Sequence, residues 1–135
     1  FGSNEKSNNS NIEYLGFVSD TELIKLIQES KALINASLYE GFGLPPLEAM
    51  SMKTPCILSR IDVYEELYGT VALFFKPDDS KELSNKVIEL FSHDQYDTIS
   101  EKSYLHSLQF SWEKTSAEYI KIIEKHRIDE KSINS

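Results

Sequence analysis

Residues that bind polyanions are scarce in this sequence of 135 amino acids. Only two arginines occur, and lysine plus arginine total 14 against 22 aspartates and glutamates, which gives a net charge of −8. A surface that binds nucleic acid needs clustered lysine and arginine side chains to neutralise phosphates. The charge balance therefore argues against a nucleic-acid-binding protein.

Cysteine and histidine are also rare. The single cysteine, Cys56, cannot form a disulfide within the chain, which favours a reducing, cytoplasmic setting. The three histidines, His93, His106 and His126, are far apart and include no His-x-x-x-His pair. A zinc site would have to gather its other ligands around one histidine and one cysteine, so the sequence predicts no such site.

Long apolar segments are missing as well. No uninterrupted apolar run approaches the roughly 20 residues of a membrane span, and the amino-terminal residues lack the apolar core of a signal peptide. Hydrophobic residues make up 40% and charged residues 27% of the chain, which is ordinary for a folded protein. We therefore expect one globular domain with a hydrophobic core.

Short apolar segments alternate with segments of helical periodicity along the chain. The predicted strands are residues 12–15, 32–36, 55–58 and 71–75, and the predicted helices are residues 20–30, 44–50, 62–68, 80–91, 95–109 and 112–128. Three of these helices follow the capping residues Ser19, Asp79 and Ser111. The alternation predicts an α/β fold, with a Rossmann-like parallel sheet of four strands and flanking helices.

The two ends of the chain are more polar than its middle. Residues 1–11 are rich in asparagine and serine and are predicted to be a polar linker or boundary segment. Residues 129–135 are predicted to be a frayed tail. The folded domain is therefore expected to span residues 12–128.

A glycine-bearing loop follows the second predicted strand and leads into a helix. Ligands of parallel sheets bind beyond the carboxyl ends of the strands, so this loop lies where a binding site is expected. Backbone amides at a helix amino terminus attract hydroxyl and phosphate oxygens, and glycines let a ligand approach closely. Because Pro45 and Pro46 have no amide hydrogen, the expected donors are the amides of Phe42, Gly43 and Leu44.

Two carboxylates accompany this loop. Glu40 precedes its glycines, and Glu48 follows about two helical turns later. Carboxylates accept paired hydrogen bonds from neighbouring sugar hydroxyls, as the ribose-binding acid of dinucleotide folds does. A sugar or nucleoside ligand is therefore chemically sensible, although spacing and composition alone favour an ordinary turn before a helix.

Several ordered motifs in the sequence resemble those of one known family. Residues 37–50, Ser-Leu-Tyr-Glu-Gly-Phe-Gly-Leu-Pro-Pro-Leu-Glu-Ala-Met, resemble the Glu-x7-Glu signature of retaining GT-B glycosyltransferases of group 1, the GT4-type family. Further resemblances lie at residues 14–23 (Tyr-Leu-Gly-Phe-Val-Ser-Asp-Thr-Glu-Leu), 54–59 (Thr-Pro-Cys-Ile-Leu-Ser), 75–79 (Phe-Lys-Pro-Asp-Asp) and 110–112 (Phe-Ser-Trp). Together the motifs cover roughly residues 12–125, and their common order makes the resemblance specific.

The resemblance implies a role for each residue that matches a motif. The domain would bind the nucleotide-sugar donor of a GT-B enzyme, which transfers the sugar with retention of its anomeric configuration. Glu40 would act at the catalytic centre by facing the donor sugar hydroxyls, and Glu48 would bind the ribose diol. Other donor contacts would come from Gly41, Phe42, Gly43 and Leu44 at the sugar and distal phosphate, and from Val18 and Asp20 near the base.

The same resemblance sets expectations for cofactors and partners. The donor would be a UDP- or GDP-sugar used without a catalytic metal, in agreement with the lack of an Asp-x-Asp motif in the sequence. The acceptor is unknown and would be bound mainly by an amino-terminal domain that the resemblance does not reach. The expected setting is polysaccharide or glycolipid synthesis in the cytoplasm, and the parent protein could work beside a membrane that carries the acceptor.

Two departures from the family pattern bear on activity. Glu65 stands where the family has a proline, which predicts a local change in the loop after the strand at residues 55–58. The resemblance also begins inside the donor-binding domain, after the strands whose basic residues neutralise the diphosphate. The isolated chain is therefore expected to have little or no transferase activity.

Two other functions stay open at this point. One is a non-catalytic GT-B-like module that binds a partner, or a second copy of itself, through exposed apolar surface. The other is a flavodoxin-like regulatory domain, which the sequence disfavours because no phospho-accepting aspartate follows a predicted strand.

Residues outside the loop are expected to be structural. Cys56 lies in an apolar strand with no histidine nearby in sequence, which favours a buried thiol over a nucleophile. Trp112 and Tyr119 are predicted to be core contacts of the last helix. Lys53 and Arg60 are candidates for phosphate contacts, but solvated surface is the simpler interpretation of both.

Overall fold

A computed structural model of the chain describes residues 11–92 and 95–133. Its elements follow one another as α1 (Asp20–Glu29), β1 (Leu33–Asn35), α2 (Leu44–Ser51), β2 (Cys56–Ser59), α3 (Asp62–Tyr68), β3 (Leu73–Phe75), α4 (Ser80–Phe91), α5 (Gln95–Ser107) and α6 (Trp112–Ile133). This alternation confirms the predicted α/β class. The polar segment expected at residues 1–11 lies, apart from Asn11, outside the described residues, and so does His93.

The sheet has three parallel strands in the order β1-β2-β3. Leu33 of β1 lies opposite Cys56 of β2, and Ile57 of β2 lies opposite Leu73 of β3. All four residues of the central strand are buried. The continuous apolar run of β2 is the pattern expected for a strand that is covered on both faces.

The prediction of a fourth strand at residues 12–15 is wrong. These residues adopt no strand in the described part of the chain, and Ile12, Tyr14 and Leu15 are each about half exposed. Alternation shows which face of a strand would be apolar, but a strand forms only where a neighbouring edge supplies hydrogen-bond partners. Here no described strand pairs with this segment.

The core lies on both faces of the sheet. Alternate residues of β2 point to opposite faces, so Cys56 and Leu58 join one cluster while Ile57 joins the other. The first cluster comprises Ile27, Ala49, Met50, Cys56, Leu58, Tyr64, Tyr68 and Phe74. The second comprises Ile57, Phe75 and Leu90. The prediction that helices flank both faces is therefore confirmed.

Three predicted helix caps are confirmed. In each, the capping side chain accepts a hydrogen bond from an amide of the first turn, which satisfies a donor without an intrahelical partner. The pairs are Glu22 N with Ser19 Oγ at 3.4 Å, Glu82 N with Asp79 Oδ1 at 2.8 Å, and Lys114 N with Ser111 Oγ at 3.1 Å. The Ser19 amide also donates to Glu22 Oε2 at 2.9 Å, which completes a capping box.

Cys56 is a buried packing residue, as predicted, and His106 packs against an aromatic ring. The Cys56 thiol is fully buried and points at the carbonyl of Pro46, and its burial raises the pKa of the thiol far above the ordinary value. The His106 ring lies edge-on to Phe110, and its Nε2 is 2.8 Å from the carbonyl oxygen of Leu67. Neither side chain is placed to act as a nucleophile or a metal ligand.

Helix α6 is the least buried element of the fold. Trp112 is 75% exposed and Tyr119 is 64% exposed, so the prediction that they are core contacts is wrong. Its backbone continues to Ile133, through the first residues of the segment expected to fray. An amphipathic pattern shows that a helix has an apolar side but does not say what covers it. None of the helices in residues 11–92 and 95–133 is long and apolar enough to cross a membrane.

Candidate functional site

The loop between β1 and α2 lies at the carboxyl ends of the first two strands, as predicted. Just after β1, the Ser37 amide donates to Asn35 Oδ1 at 3.0 Å. At the end of β2, the Ser59 hydroxyl donates to the carbonyl oxygen of Ser37. These two bonds fix the start of the loop across both strands, which is the edge where parallel sheets bind ligands.

Glu40 lies in this loop, after the carboxyl end of β1. Its Oε1 accepts a hydrogen bond of 2.7 Å from the Ser37 hydroxyl, three residues earlier in the same loop. The carboxylate borders a cavity of about 390 Å³, which is also lined by Leu38, Tyr39, Arg60, Ile61, Asp62 and Val63. The structure therefore places Glu40 where a small polar ligand could reach it.

The glycine-bearing part of the loop follows Glu40 and leads into α2. Gly43 is the residue before α2 and adopts a φ of 87°, which is readily available only to glycine. The amides of Gly41, Phe42, Gly43 and Leu44 have no hydrogen-bond acceptor among the described residues. Four such amides at the start of a helix can bind hydroxyl or phosphate oxygens.

Two tyrosines of α3 form the floor beneath this loop, and sequence analysis did not identify either. The Tyr68 hydroxyl donates to the carbonyl oxygen of Gly43 at 2.9 Å. The Tyr64 ring lies so close that a Cβ atom on Gly43 would be 2.4 Å from its Cε1. Both side chains are fully buried. Their spacing of four residues, which puts both on one helix face, was the available sequence signal.

The Tyr64 hydroxyl has an unusual environment. It is the buried side-chain polar atom that lacks a hydrogen-bond partner in the described part of the chain. Burial, reinforced by the negative charge of nearby Glu40, raises the pKa of Tyr64 to about 12. The phenol is therefore protonated at neutral pH and can donate a hydrogen bond.

The remaining predicted site residues lie on α2 and at the start of α1. Glu48 is exposed on α2, and its carboxylate has no partner among the described residues. Asp20 is exposed at the start of α1, and Val18 is partly buried just before it. No hydrogen bond or ion pair within the described residues links Val18 or Asp20 to the loop. Glu40 and the four amides thus share one loop, and no described hydrogen bond or ion pair joins the other predicted site residues to it.

Positive charge near the cavity is limited. Arg60 lines the cavity, but its guanidinium is paired with Glu65 and lies over the Phe74 ring. Lys53 lies beyond the other end of α2 and pairs with Glu101 at 2.7 Å. Among the described residues, no group of three or more histidine, cysteine, aspartate or glutamate side chains could hold a metal ion.

A second cavity borders the other side of the loop. It measures about 360 Å³ and is lined mainly by apolar side chains: Phe42, Leu44, Leu47, Phe110, Ser111, Trp112 and Thr115. Phe42 contacts the edge of the Phe110 ring, with 5.8 Å between the ring centroids. Phe42 thus forms part of the wall of this apolar cavity.

Comparison with known proteins identifies named relatives of this chain. The O-antigen chain mannosyltransferase B of Escherichia coli is 34% identical over 110 residues, which are 81% of this chain and 29% of that protein. The O-antigen chain mannosyltransferase RfbU of Salmonella typhimurium is 44% identical over 70 residues, 52% of this chain and 20% of that protein. An MMP alpha-(1->4)-mannosyltransferase of Mycolicibacterium hassiacum is 31% identical over 113 residues, 80% of this chain and 28% of that protein.

The chain spans less than a third of the length of each of these relatives. Residues 3–106 match the family model for glycosyl transferases of group 1. That range contains the loop, both strands that flank it and the tyrosine floor. The chain therefore belongs to the group 1 glycosyltransferase family.

Proposed function

We propose that this chain is the donor-binding portion of a retaining glycosyltransferase, which moves a sugar from a nucleotide-sugar to an acceptor. One observation carries the proposal: Glu40 lines a cavity at the carboxyl ends of β1 and β2, beside loop amides without acceptors among the described residues. A carboxylate next to such amides suits a ligand that combines sugar hydroxyls with phosphate oxygens.

Each residue of the site has a role in this proposal. Glu40 acts at the catalytic centre, where it accepts hydrogen bonds from the donor sugar, and Glu48 binds the ribose diol. The other donor contacts come from the amides of Gly41, Phe42, Gly43 and Leu44 at the sugar and distal phosphate, and from Val18 and Asp20 near the base. The exposure of Glu48 on α2 supports its role, because its carboxylate has no competing partner among the described residues.

The names of three relatives support mannose as the first sugar to test. All three are called mannosyltransferases, and two are named for the O-antigen chain, which is a polysaccharide. We assign the parent protein to hexosyl transfer in polysaccharide or glycolipid synthesis, in the cytoplasm and beside a membrane that carries the acceptor. The acceptor is bound mainly by residues outside this chain.

The isolated chain is proposed to bind its donor weakly and to be almost inactive. Arg60 is the basic side chain at the polar cavity, and its pairing with Glu65 reduces what it can offer to a diphosphate. Charge-assisted hydrogen bonds from basic residues are the strong contacts that phosphates require. We further propose that donor binding needs no metal ion, so that adding magnesium or EDTA leaves it unchanged.

The test is an amide NMR titration of the full chain with GDP-mannose, UDP-glucose and ADP-glucose. We expect shifts concentrated at residues 41–44, Glu48 and Val18 for one donor. Glu48→Ala should weaken binding, while Glu124→Ala, an exposed residue of α6, should not. A well-dispersed spectrum without shifts for any donor would contradict binding by this chain. Equal affinity of the Glu48→Ala variant would contradict the ribose assignment.

One observation favours a second candidate, a module that binds a partner or a second copy of itself. Tyr119, Ile120 and Ile123 are each more than half exposed on α6. Apolar patches of this kind often mark interaction surfaces. Sedimentation at increasing concentrations tests this candidate: association without any response to nucleotides would favour it over donor binding.

A further inference from the structure

The hydroxyl of Tyr64 is buried beside the candidate site without a hydrogen-bond partner in the described residues. A buried polar group that lacks a partner destabilises the fold, so phenylalanine would fit this position with less cost. A buried hydroxyl without a hydrogen-bond partner therefore needs an explanation other than its contribution to packing. The position of the hydroxyl points to one.

Glu40 is the charged neighbour of this hydroxyl. Its negative charge raises the pKa of Tyr64, and both this carboxylate and the Ser37 hydroxyl lie close to the phenol, although neither meets the geometry of a hydrogen bond with it. Ser37 already donates to Oε1 of Glu40 at 2.7 Å, whereas Oε2 has no donor among the described residues. A carboxylate accepts several hydrogen bonds, so Glu40 has room for a second donor.

The Tyr64 ring also fixes the loop that follows Glu40. It lies beneath Gly43, where a Cβ atom would be 2.4 Å from the ring, and Tyr68 holds the Gly43 carbonyl from the same helix. The two tyrosine rings are tilted against each other, with centroids 6.0 Å apart. The ring of Tyr64 therefore packs beneath the loop, and the same residue lies close to the acid.

We infer that Tyr64 is a positioning residue, whose hydroxyl donates a hydrogen bond to Glu40 when the donor sugar occupies the site. This inference rests on the proposed function, since it assigns Glu40 to the sugar. Hydrogen bonds of catalytic groups are often long or misaligned in ligand-free enzymes and tighten in the complex. Tyr64 thereby fixes the carboxylate against the sugar hydroxyls while its ring keeps the amides of the loop in register.

The first experiment compares Tyr64→Phe with Tyr68→Phe in the full chain. Both variants keep the buried ring and lose one hydroxyl, but only the Tyr68 hydroxyl has a hydrogen-bond partner among the described residues. Affinities are measured by calorimetry for GDP-mannose and for GDP, which lacks the sugar that Glu40 would contact. If another nucleotide-sugar binds in the NMR titration, that donor and its diphosphate replace this pair.

For Tyr64→Phe we expect about tenfold weaker binding of the nucleotide-sugar, the effect of one hydrogen bond to a charged group, and unchanged binding of the diphosphate. For Tyr68→Phe we expect any loss of affinity to be equal for the two ligands, because this substitution acts through the conformation of the loop. Equal losses for both ligands in Tyr64→Phe, or no loss for either, would overturn the positioning role.

The second experiment needs no ligand, so it separates this inference from the proposed function. Tyrosine labelled with carbon-13 at Cζ gives one resonance per residue, and Glu40→Gln should move the Tyr64 resonance at neutral pH while leaving the Tyr68 resonance in place. An unmoved Tyr64 resonance would overturn the inference. If the wild-type chain binds no donor, the proposed donor binding fails, and the Tyr64 resonance still decides whether its hydroxyl faces Glu40.

Discussion

Two regions of this protein that carry apolar residues differ in how far those residues are buried. Helix α2 and the tyrosines of α3 are packed against the sheet, and Met50, Tyr64 and Tyr68 are fully buried. Helix α6 carries its own apolar residues, yet Trp112 and Ile122 are mostly exposed. The comparison shows that apolar residues at helical spacing do not make a core by themselves. The loop before α2 has a defined conformation because it is hydrogen-bonded to Ser59 at the end of β2 and to Tyr68 of α3.

Replacing a side chain in each region tests this comparison most strongly. Met50→Ala removes a fully buried side chain from α2 and should lower the free energy of unfolding by about 3–5 kcal/mol. Ile122→Ala removes a side chain that is 54% exposed on α6 and should cost less than about 0.5 kcal/mol. Urea unfolding followed by circular dichroism measures both. Similar losses would mean that α6 is packed in solution.

The glycines of the loop provide the next largest effect. Gly43→Ala should cost about 2–3 kcal/mol, because Gly43 has a positive φ and the new Cβ would collide with Tyr64. Gly41→Ala is the matched control, since nothing lies within 4 Å of a Cβ at that position. It should change stability by less than about 0.5 kcal/mol. If the Gly43→Ala variant is as stable as the wild type, the Tyr64 side chain can move to make room for the new methyl group.

Tyr64 and Tyr68 allow a comparison, within the packed region, between a buried hydroxyl that has a hydrogen-bond partner and one that has none among the described residues. Tyr68→Phe removes a buried hydrogen bond to the carbonyl of Gly43 and should cost about 1 kcal/mol. Tyr64→Phe removes a hydroxyl that has no partner in the described residues, so stability should stay within about 0.5 kcal/mol of the wild type or rise. Denaturant midpoints at equal slope give both values. A larger loss for Tyr64→Phe would show that its hydroxyl is already bonded without ligand.

The smallest expected effect lies in α1, where Ile27 is the buried residue. The backbone and hydroxyl of Ser19 bond to Glu22 and lower the pKa of its carboxyl below the ordinary value of 4.5. A carboxyl group whose pKa is lower in the folded state stabilises the fold at pH values above its pKa in the unfolded chain. This stabilisation is lost as the pH falls through the pKa of the folded state. Glu22→Ala should therefore be slightly less stable than the wild type near neutral pH and equal to it in acid. A difference that grows in acid would contradict this linkage.

Local signals in the sequence predicted much of the fold and the position of the glycine-bearing loop correctly. Helix α3 begins and ends at the predicted residues, and the caps Ser19, Asp79 and Ser111 all form, because capping depends on residues within one turn. The loop at Glu40 also lies at the predicted edge, since a strand followed by a helix defines that edge in a parallel sheet. The roles of Glu40, Glu48, Val18 and Asp20 in donor binding stay predictions.

Contacts between distant residues were harder to predict. Residues 12–15 have a strand pattern, but no described strand pairs with them, and the described large apolar side chains of α6 are more than half exposed. Helix α5 buries three serines, Ser100, Ser103 and Ser107, because their hydroxyls find carbonyl oxygens. Nothing in their polarity indicated this burial, and two of the partners, the carbonyl oxygens of Lys53 and Val71, lie outside α5.

The sequence by itself determined the α/β class, most of the helices and three of the strands, and the glycine-bearing loop with its two glutamates. These features depend on periodicity, capping and turn chemistry within a few residues of one another. Only the tertiary structure decided that Tyr64 and Tyr68 lie beneath the loop and that Tyr64 is close to Glu40. Those contacts join residues more than 20 positions apart, and their energy comes from burial and hydrogen bonds that exist only when the chain is folded.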